Sequence, residues 1–177
     1  TYEAEFIQKS YIKMMDKTQD VKGTVIIKKP GKMKWSYGAP DTQILISDGS
    51  TLWLYVPDEE QATKVPIESI YSSNTPALFL AGKGKLMQTF NVESVNLDKD
   101  PIRITLTPKA DDQALTRLQL FADKKNYQIT GSTVYDKLGN KTEIRFSNIK
   151  TNREIPEKTF QFQAPANVEV LDYTKPH

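Results

Sequence analysis

Residues able to do chemistry are scarce in this chain. It has no cysteine and one histidine, His177, the last of its 177 residues. Thiol or imidazole catalysis, Ser-His-Asp relays and most zinc sites therefore have almost nothing to work with. Carboxylates remain, in the clusters Asp58-Glu59-Glu60, Asp98 with Asp100, and Asp111-Asp112. Paired carboxylates can serve acid–base work, as in a carbohydrate- or lipid-active hydrolase, or hold a hard cation. All three clusters fall where turns are predicted, and acidic residues in turns are ordinarily there to be solvated. Ser47, beside Asp48-Gly49, is likewise a turn residue without a histidine partner. No nucleophile elbow, phosphate-cradling glycine loop or metal-ligand spacing occurs. The chain reads as a non-enzyme, with no catalytic residue, no metal and no cofactor.

Charge does not nominate a polyanionic partner. The 24 Lys and Arg against 22 Asp and Glu leave a net charge of +2, and all but Arg103, Arg117, Arg145 and Arg153 of the basic residues are lysine. Lysine is strongly hydrated and lacks the bidentate fork of arginine. Basic and aromatic residues do mix in Lys28-Lys29-Pro30-Gly31-Lys32-Met33-Lys34-Trp35-Ser36-Tyr37. Strand alternation, however, puts Lys32 and Lys34 on the face opposite Met33, Trp35 and Tyr37, so charge and rings do not share a surface. No nucleic-acid partner is expected. Apolar runs do not exceed five residues, as in Ala77-Leu78-Phe79-Leu80-Ala81, where a membrane helix needs about 20. No span is expected. No signal peptide is present and Thr1 leads almost at once into a strand, so a processed or trimmed product is expected.

The elements that must position any site are mostly strands. Tyr2, Ala4 and Phe6 alternate with Glu3 and Glu5; Val21, Val25 and Ile27 with Lys22, Thr24 and Lys28; Met33, Trp35 and Tyr37 with Lys32, Lys34 and Ser36. Period two marks strands with one wet face. Turn chemistry separates them at Lys29-Pro30-Gly31, Ala39-Pro40-Asp41 and Asp48-Gly49-Ser50, the last joining 43–47 to 51–56 as a tight hairpin. From Pro57 to Lys85 the pattern breaks. Pro66 is followed by Ile67, Ile70 and Tyr71 at helical spacings, and Thr75 as N-cap, Pro76 at the first position and Gly82 past the end frame a short helix. That helix is apolar on nearly every side and must be buried or lie on a greasy surface. Strands are predicted again at 90–97, 102–107, 115–122, 128–135, 142–149, 159–163 and 168–170. This spacing implies an antiparallel meander of about ten or more strands, one curled sheet or partly closed barrel. Bulky residues such as Trp35, Trp53, Phe121, Tyr135, Phe146, Phe160 and Phe162 either pack it shut or line a cavity, and periodicity does not choose.

A longer series of residues does choose. Lys28-Lys29-Pro30 through Trp35, Pro40, Ile44-Leu45-Ile46-Ser47-Asp48-Gly49-Ser50-Thr51-Leu52-Trp53-Leu54-Tyr55, Pro57 and Glu60-Gln61-Ala62-Thr63 resemble the LolA family of periplasmic lipoprotein carriers. Asn74-Thr75-Pro76, Leu106-Thr107-Pro108-Lys109-Ala110 and Phe160-Gln161-Phe162 with Pro165 extend the resemblance over nearly the whole chain. It implies a single domain over residues 1–177, mainly β, with an unclosed antiparallel β-barrel of about 10–12 strands. A helical lid at about 66–82 would cover a hydrophobic cavity that takes acyl chains. The cavity candidates are Phe6, Val25, Ile27, Met33, Trp35, Ile44, Ile46, Leu52, Leu54, Leu78, Phe79 and Leu106.

In the family a basic residue before the motif proline latches the lid by donating to backbone carbonyls at the lid helix end. Here that residue is Lys29 and the carbonyls are those of Leu80 and Ala81. Lysine keeps the charge of the more usual arginine but not its fork, so the latch is expected to be weaker. Met33 stands where a bulky aromatic often guards the cavity; methionine is a flexible filler suited to variable chains. Family members also carry an N-terminal helix before the first strand, so its removal, or a lid built differently here, would leave the cavity more open.

The resemblance implies a monomeric periplasmic carrier for acylated lipoproteins. It would load from an inner-membrane ABC release complex of the LolCDE type and deliver to an outer-membrane receptor of the LolB type, with only transient membrane contact. A receptor- or sensor-type relative that binds without shuttling is the alternative within the fold, although an anchored receptor would need a lipidated cysteine. A hydrolase using Asp98 and Asp100 is the alternative from another class.

Overall fold

The alternation in the sequence becomes, in the computed structural model, one sheet of 12 strands. The structure describes residues 1–67, 86–110 and 115–174. The helix predicted around Thr75–Gly82, with Leu78, Phe79, Leu80 and Ala81, lies outside the described residues, as do Asp111-Asp112 and His177.

The strands are β1 (Tyr2–Ile12), β2 (Lys17–Lys28), β3 (Lys32–Tyr37), β4 (Gln43–Asp48), β5 (Thr51–Val56), β6 (Gln61–Pro66), β7 (Phe90–Asn96), β8 (Ile102–Pro108), β9 (Arg117–Ala122), β10 (Ile129–Tyr135), β11 (Lys141–Thr151) and β12 (Glu169–Asp172). One helical turn, α1 (Leu86–Thr89), precedes β7, and 3-10 turns occupy Lys13–Met15, Pro57–Glu59 and Glu157–Phe160. The sheet order is β12-β6-β5-β4-β3-β2-β1-β11-β10-β9-β8-β7, with β12 and β7 as its ends, so the sheet is not closed. Neighbours from β2 to β6 and from β7 to β11 run antiparallel. The meander expectation fails at β12, which lies parallel to β6.

Two elements depart from the sequence reading. The sequence predicts no strand at β6, because Pro57 and Pro66 bracket it and its apolar residues Ala62 and Val65 are out of phase for period two. Pairing to β5 on one side and β12 on the other supplies what the side chains do not. The strand expected at 159–163 is replaced by the 3-10 turn Glu157–Phe160. There the Thr159 N–H donates to the Pro156 carbonyl at 3.0 Å and the Gln161 N–H to that of Lys158 at 3.3 Å. This turn packs on β3 and β4, which buries Phe160 and outweighs the local β propensity.

Contacts divide the chain into two compact units. The first comprises 1–5, 21–84 and 148–177. Its core draws on Val21, Val25, Ile27, Met33, Trp35, Ile46, Leu52, Ala62, Ile155 and Phe160. The second comprises 6–20 and 85–147, with Phe6, Phe90, Ile102, Leu106, Leu118 and Leu120 buried.

Candidate functional site

The hairpin that organises the first unit is built by its turn. Asp48 Oδ1 accepts the N–H groups of Ser50 (2.9 Å) and Thr51 (2.8 Å) and the Ser50 hydroxyl (2.9 Å), while Ser47 Oγ accepts the Gly49 N–H at 3.0 Å. Gly49 sits at φ 102°, a conformation that side chains disfavour. Partial burial pushes the Asp48 carboxyl up, but the hydrogen bonds from Thr51 and Ser50 outweigh it and hold the group below the ordinary carboxylate value. The Ser-Asp-Gly-Ser stretch is therefore a register device. It sets Ser47 opposite Leu52, Ile46 opposite Trp53, Leu45 opposite Leu54 and Ile44 opposite Tyr55.

Directly opposed residues share a face, so the register sorts β2 to β6 into two surfaces. One surface carries Val25, Trp35, Leu45, Leu54 and Thr63 in one row and Ile27, Met33, Ser47, Leu52 and Val65 in the next. Val25, Ile27, Met33 and Trp35 are each exposed by 1% or less. Tyr37 continues this surface, its ring 6.4 Å from that of Trp35, and burial pushes its phenol up. Ser47 is the one fully buried hydroxyl in these rows, and the Gly49 N–H satisfies it.

The other surface is mixed and held by charge. It carries Lys28, Lys32, Lys34, Ile44, Ile46, Trp53, Tyr55 and Lys64. The C-terminal segment lies on it: Phe162 meets Trp53 at 5.2 Å and Tyr55 at 5.3 Å between ring centroids. Glu157 joins the segment to the strands through Lys28 Nζ, 2.5 Å away, and through Lys32. Those two hydrogen bonds, Lys28 first, bring the Glu157 carboxyl down to about 2. Lys64 lies 5.4 Å from the Trp53 ring centroid and 3.5 Å from the Asp172 carboxylate.

Of the twelve cavity candidates, the structure brings Val25, Ile27, Met33, Trp35, Leu52 and Leu54 together on the apolar surface of the first unit. Ile44 and Ile46 lie on the opposite surface, one residue out of phase. Phe6 and Leu106 belong to the second unit, both buried. Leu78 and Phe79 lie outside the described residues, as do the latch partners Leu80 and Ala81. Lys29 is exposed in the turn that follows β2. The separation of Lys32 and Lys34 from Met33, Trp35 and Tyr37 is as alternation predicts. Tyr37, placed with Met33 and Trp35 by alternation, joins this surface without being among the cavity candidates; Leu45 and Val65 are further members that only the pairing of Trp35 with Leu45 and of Leu52 with Val65 reveals.

Two of the three acidic clusters lie among the described residues, each at an exposed turn. Asp58, Glu59 and Glu60 are exposed at a 3-10 turn, and Asp98 and Asp100 are exposed between β7 and β8. No group of three or more potential metal ligands occurs among the described residues, and no described helix is long and apolar enough to cross a membrane. The apolar surface offers aliphatic, thioether and aromatic groups, the composition for non-covalent burial of hydrocarbon.

Comparisons with known proteins place the chain in a family. The family model described as outer membrane lipoprotein carrier protein LolA matches residues 1–163. A protein of Hahella chejuensis named outer-membrane lipoprotein carrier protein is 35% identical over 174 residues, 97% of this chain and 81% of that one. A protein of Chromohalobacter salexigens with the same name is 34% identical over 172 residues, 97% of this chain and 80% of that one. Among solved structures, an uncharacterized conserved protein from Thermus thermophilus shares the fold, with TM-score 0.58, 10% identity and coverage of 96% of this chain and 90% of that one.

Proposed function

This chain belongs to the LolA family of outer-membrane lipoprotein carriers, and from that premise we propose that the apolar surface of β2 to β6 takes up the acyl chains of a lipoprotein. The observation that carries the proposal is the unbroken pair of rows from Val25 and Ile27 to Leu54 and Leu52, apolar but for a satisfied Ser47. Val25, Ile27, Met33, Trp35 and Leu52 are already out of water while Leu45, Leu54 and Val65 are half-buried, so loading exchanges the present cover of the former for acyl chains. Each methylene buried contributes about 0.8 kcal/mol, and several chains contribute tens of kcal/mol before the cost of uncovering the surface is subtracted. That cost makes release feasible, since a carrier that gained the full burial energy would not let go.

The wider scheme belongs to the same proposal. A single domain over 1–177, acting as a monomer in the periplasm, accepts lipoprotein from an inner-membrane ABC release complex and passes it to an outer-membrane receptor. The lid expected at about 66–82 follows β6, which takes in Pro66, and Lys29 latches it through the carbonyls of Leu80 and Ala81. Leu78 and Phe79 present the lid's apolar side to the cargo. No bond chemistry is needed, which agrees with relatives named as carriers and with a chain lacking cysteine and any internal histidine.

Native mass spectrometry of the protein recovered from periplasm tests this. A mass increment equal to an acylated lipoprotein is expected; recovery without one, when a known carrier treated alike retains its cargo, contradicts the reading. Asp98→Asn with Asp100→Asn is expected to leave cargo binding intact, whereas a hydrolase built on those carboxylates would lose its activity.

A further inference from the structure

The second unit holds a cavity of about 530 Å³ that the acyl-chain reading does not use. One row across the sheet builds its wall: Arg103 opposes Phe121, Phe121 opposes Gly131, and Gly131 opposes Arg145. Opposed residues share a face, so two arginines flank a phenyl ring and a position with no side chain. Gly131 is obligatory there, because a Cβ would fall 2.6 Å from the Ile144 carbonyl oxygen. Leu106 pairs with Leu118 one residue out of phase with this row and so lies on the other face. Lys99 and Asp100, from the turn before β8, and Asp123, after β9, complete the charged lining.

The charged groups around this cavity do not pair with each other; Lys99, Asp100, Arg103 and Arg145 are exposed, so they stand solvated and open to a ligand. Among the described residues neither Asp100 nor Asp123 forms an ion pair with Lys99, Arg103 or Arg145. One oxygen of Asp123 is engaged by the N–H groups of Lys125 (2.8 Å) and Asn126 (3.1 Å), which fixes the carboxylate in its turn. Arg145 donates Nε–H to Glu143 Oε1 at 2.6 Å, which orients the guanidinium and leaves its terminal amino groups for another acceptor. In a chain with four arginines among 24 basic residues, two of the four line this one cavity.

We propose that this cavity binds a zwitterion, its phosphate or carboxylate held by Arg103 and Arg145 and its ammonium by Asp100 and Asp123, with its carbons against Phe121. The planar fork of arginine matches two oxygens of an oxyanion. A plain anion would meet the two carboxylates unpaired and a plain cation the two guanidiniums and Lys99, so the mixed lining favours a ligand carrying both signs. The volume lies within the ordinary range for small-molecule sites. A free phosphoethanolamine-like molecule and the head group of an ethanolamine phospholipid share this chemistry.

The test titrates the full chain with phosphoethanolamine, glycerol 3-phosphate and ethanolamine while following backbone amides by NMR. Phosphoethanolamine is expected to shift the amides of Arg103, Phe121, Gly131 and Arg145 and to bind about tenfold more tightly than either single-charge probe. Arg103→Gln with Arg145→Gln is expected to lower that affinity by about tenfold or more at unchanged Tm. Arg103→Lys, which keeps the charge without the fork, should fall between. Phosphatidylcholine vesicles with and without phosphatidylethanolamine separate the two sources. Cosedimentation that requires both phosphatidylethanolamine and Arg103 assigns a lipid head group; soluble binding without cosedimentation assigns a free ligand. Absence of both, equal affinity for the three probes, or affinity unchanged in the double variant overturns the proposal. Acylated-cargo retention is independent of each of these outcomes.

Discussion

The two surfaces of β2 to β6 are made by the same strands, one residue out of phase, and differ in nearly everything else. On one, Val25, Ile27, Met33 and Trp35 are dry and no side chain carries a charge. On the other, lysines alternate with aromatic rings, and the C-terminal segment is fastened by Glu157 to Lys28 and Lys32. The lesson is that phase, set by the Asp48 turn, decides which apolar residues can meet a ligand. Ile44 and Leu54 are both half-buried aliphatic residues on paired strands, yet they face opposite ways.

Truncation on the dry surface should have the largest effect. Trp35→Ala is expected to cost about 3–5 kcal/mol of stability by urea denaturation and to reduce cargo retention. Trp53→Ala, on the other surface, removes a half-buried ring and its contact with Phe162; about 1–2 kcal/mol is expected, with cargo retention unchanged. Equal effects of the two on cargo would break the comparison.

The turn comes next. Asp48→Ala removes three hydrogen bonds and is expected to cost about 1 kcal/mol, with exchange broadening in the amides of Ser50 and Thr51.

Two smaller effects concern charge. The Glu157 carboxyl is lowered in the folded protein, so its contribution is complete above its ordinary value near 4.5 and is lost as pH falls toward 2. Amide exchange in the Glu157–Phe162 segment should rise across that window and stay flat across it in Glu157→Gln. Lys29→Leu, at an exposed turn position, is expected to change stability by less than about 0.5 kcal/mol but to alter the rate of lipoprotein handover. An unchanged rate removes Lys29 from the mechanism.

Much of this arrangement was legible in the residues. Alternation through Val21–Tyr37 and the Asp48-Gly49-Ser50 turn located β2 to β5, because period two and turn chemistry are local signals. The strand β6 was not legible: its side chains carry no alternating pattern, and its place depends on partners on both sides. The strand predicted at 159–163 overlaps the 3-10 turn Glu157–Phe160 instead, because β-favouring residues say nothing of the surface that buries Phe160. Ile44 and Ile46 were grouped with Leu52 and Leu54 because residue type identifies apolar character but not phase. The charged row of the second unit could not be foreseen either, since Arg103, Phe121, Gly131 and Arg145 become neighbours only through the registers of β8 to β11.

The central claim is that acyl chains meet the dry surface, and a pair of photocrosslinking probes tests it most directly. One probe replaces Leu54 and the other Ile44, each half-buried, on opposed faces of the same hairpin. After loading with an acylated lipoprotein and irradiation, crosslinks to the acyl chains are expected from position 54 and not from position 44. Crosslinks from position 44 alone, or from both equally, would contradict the account.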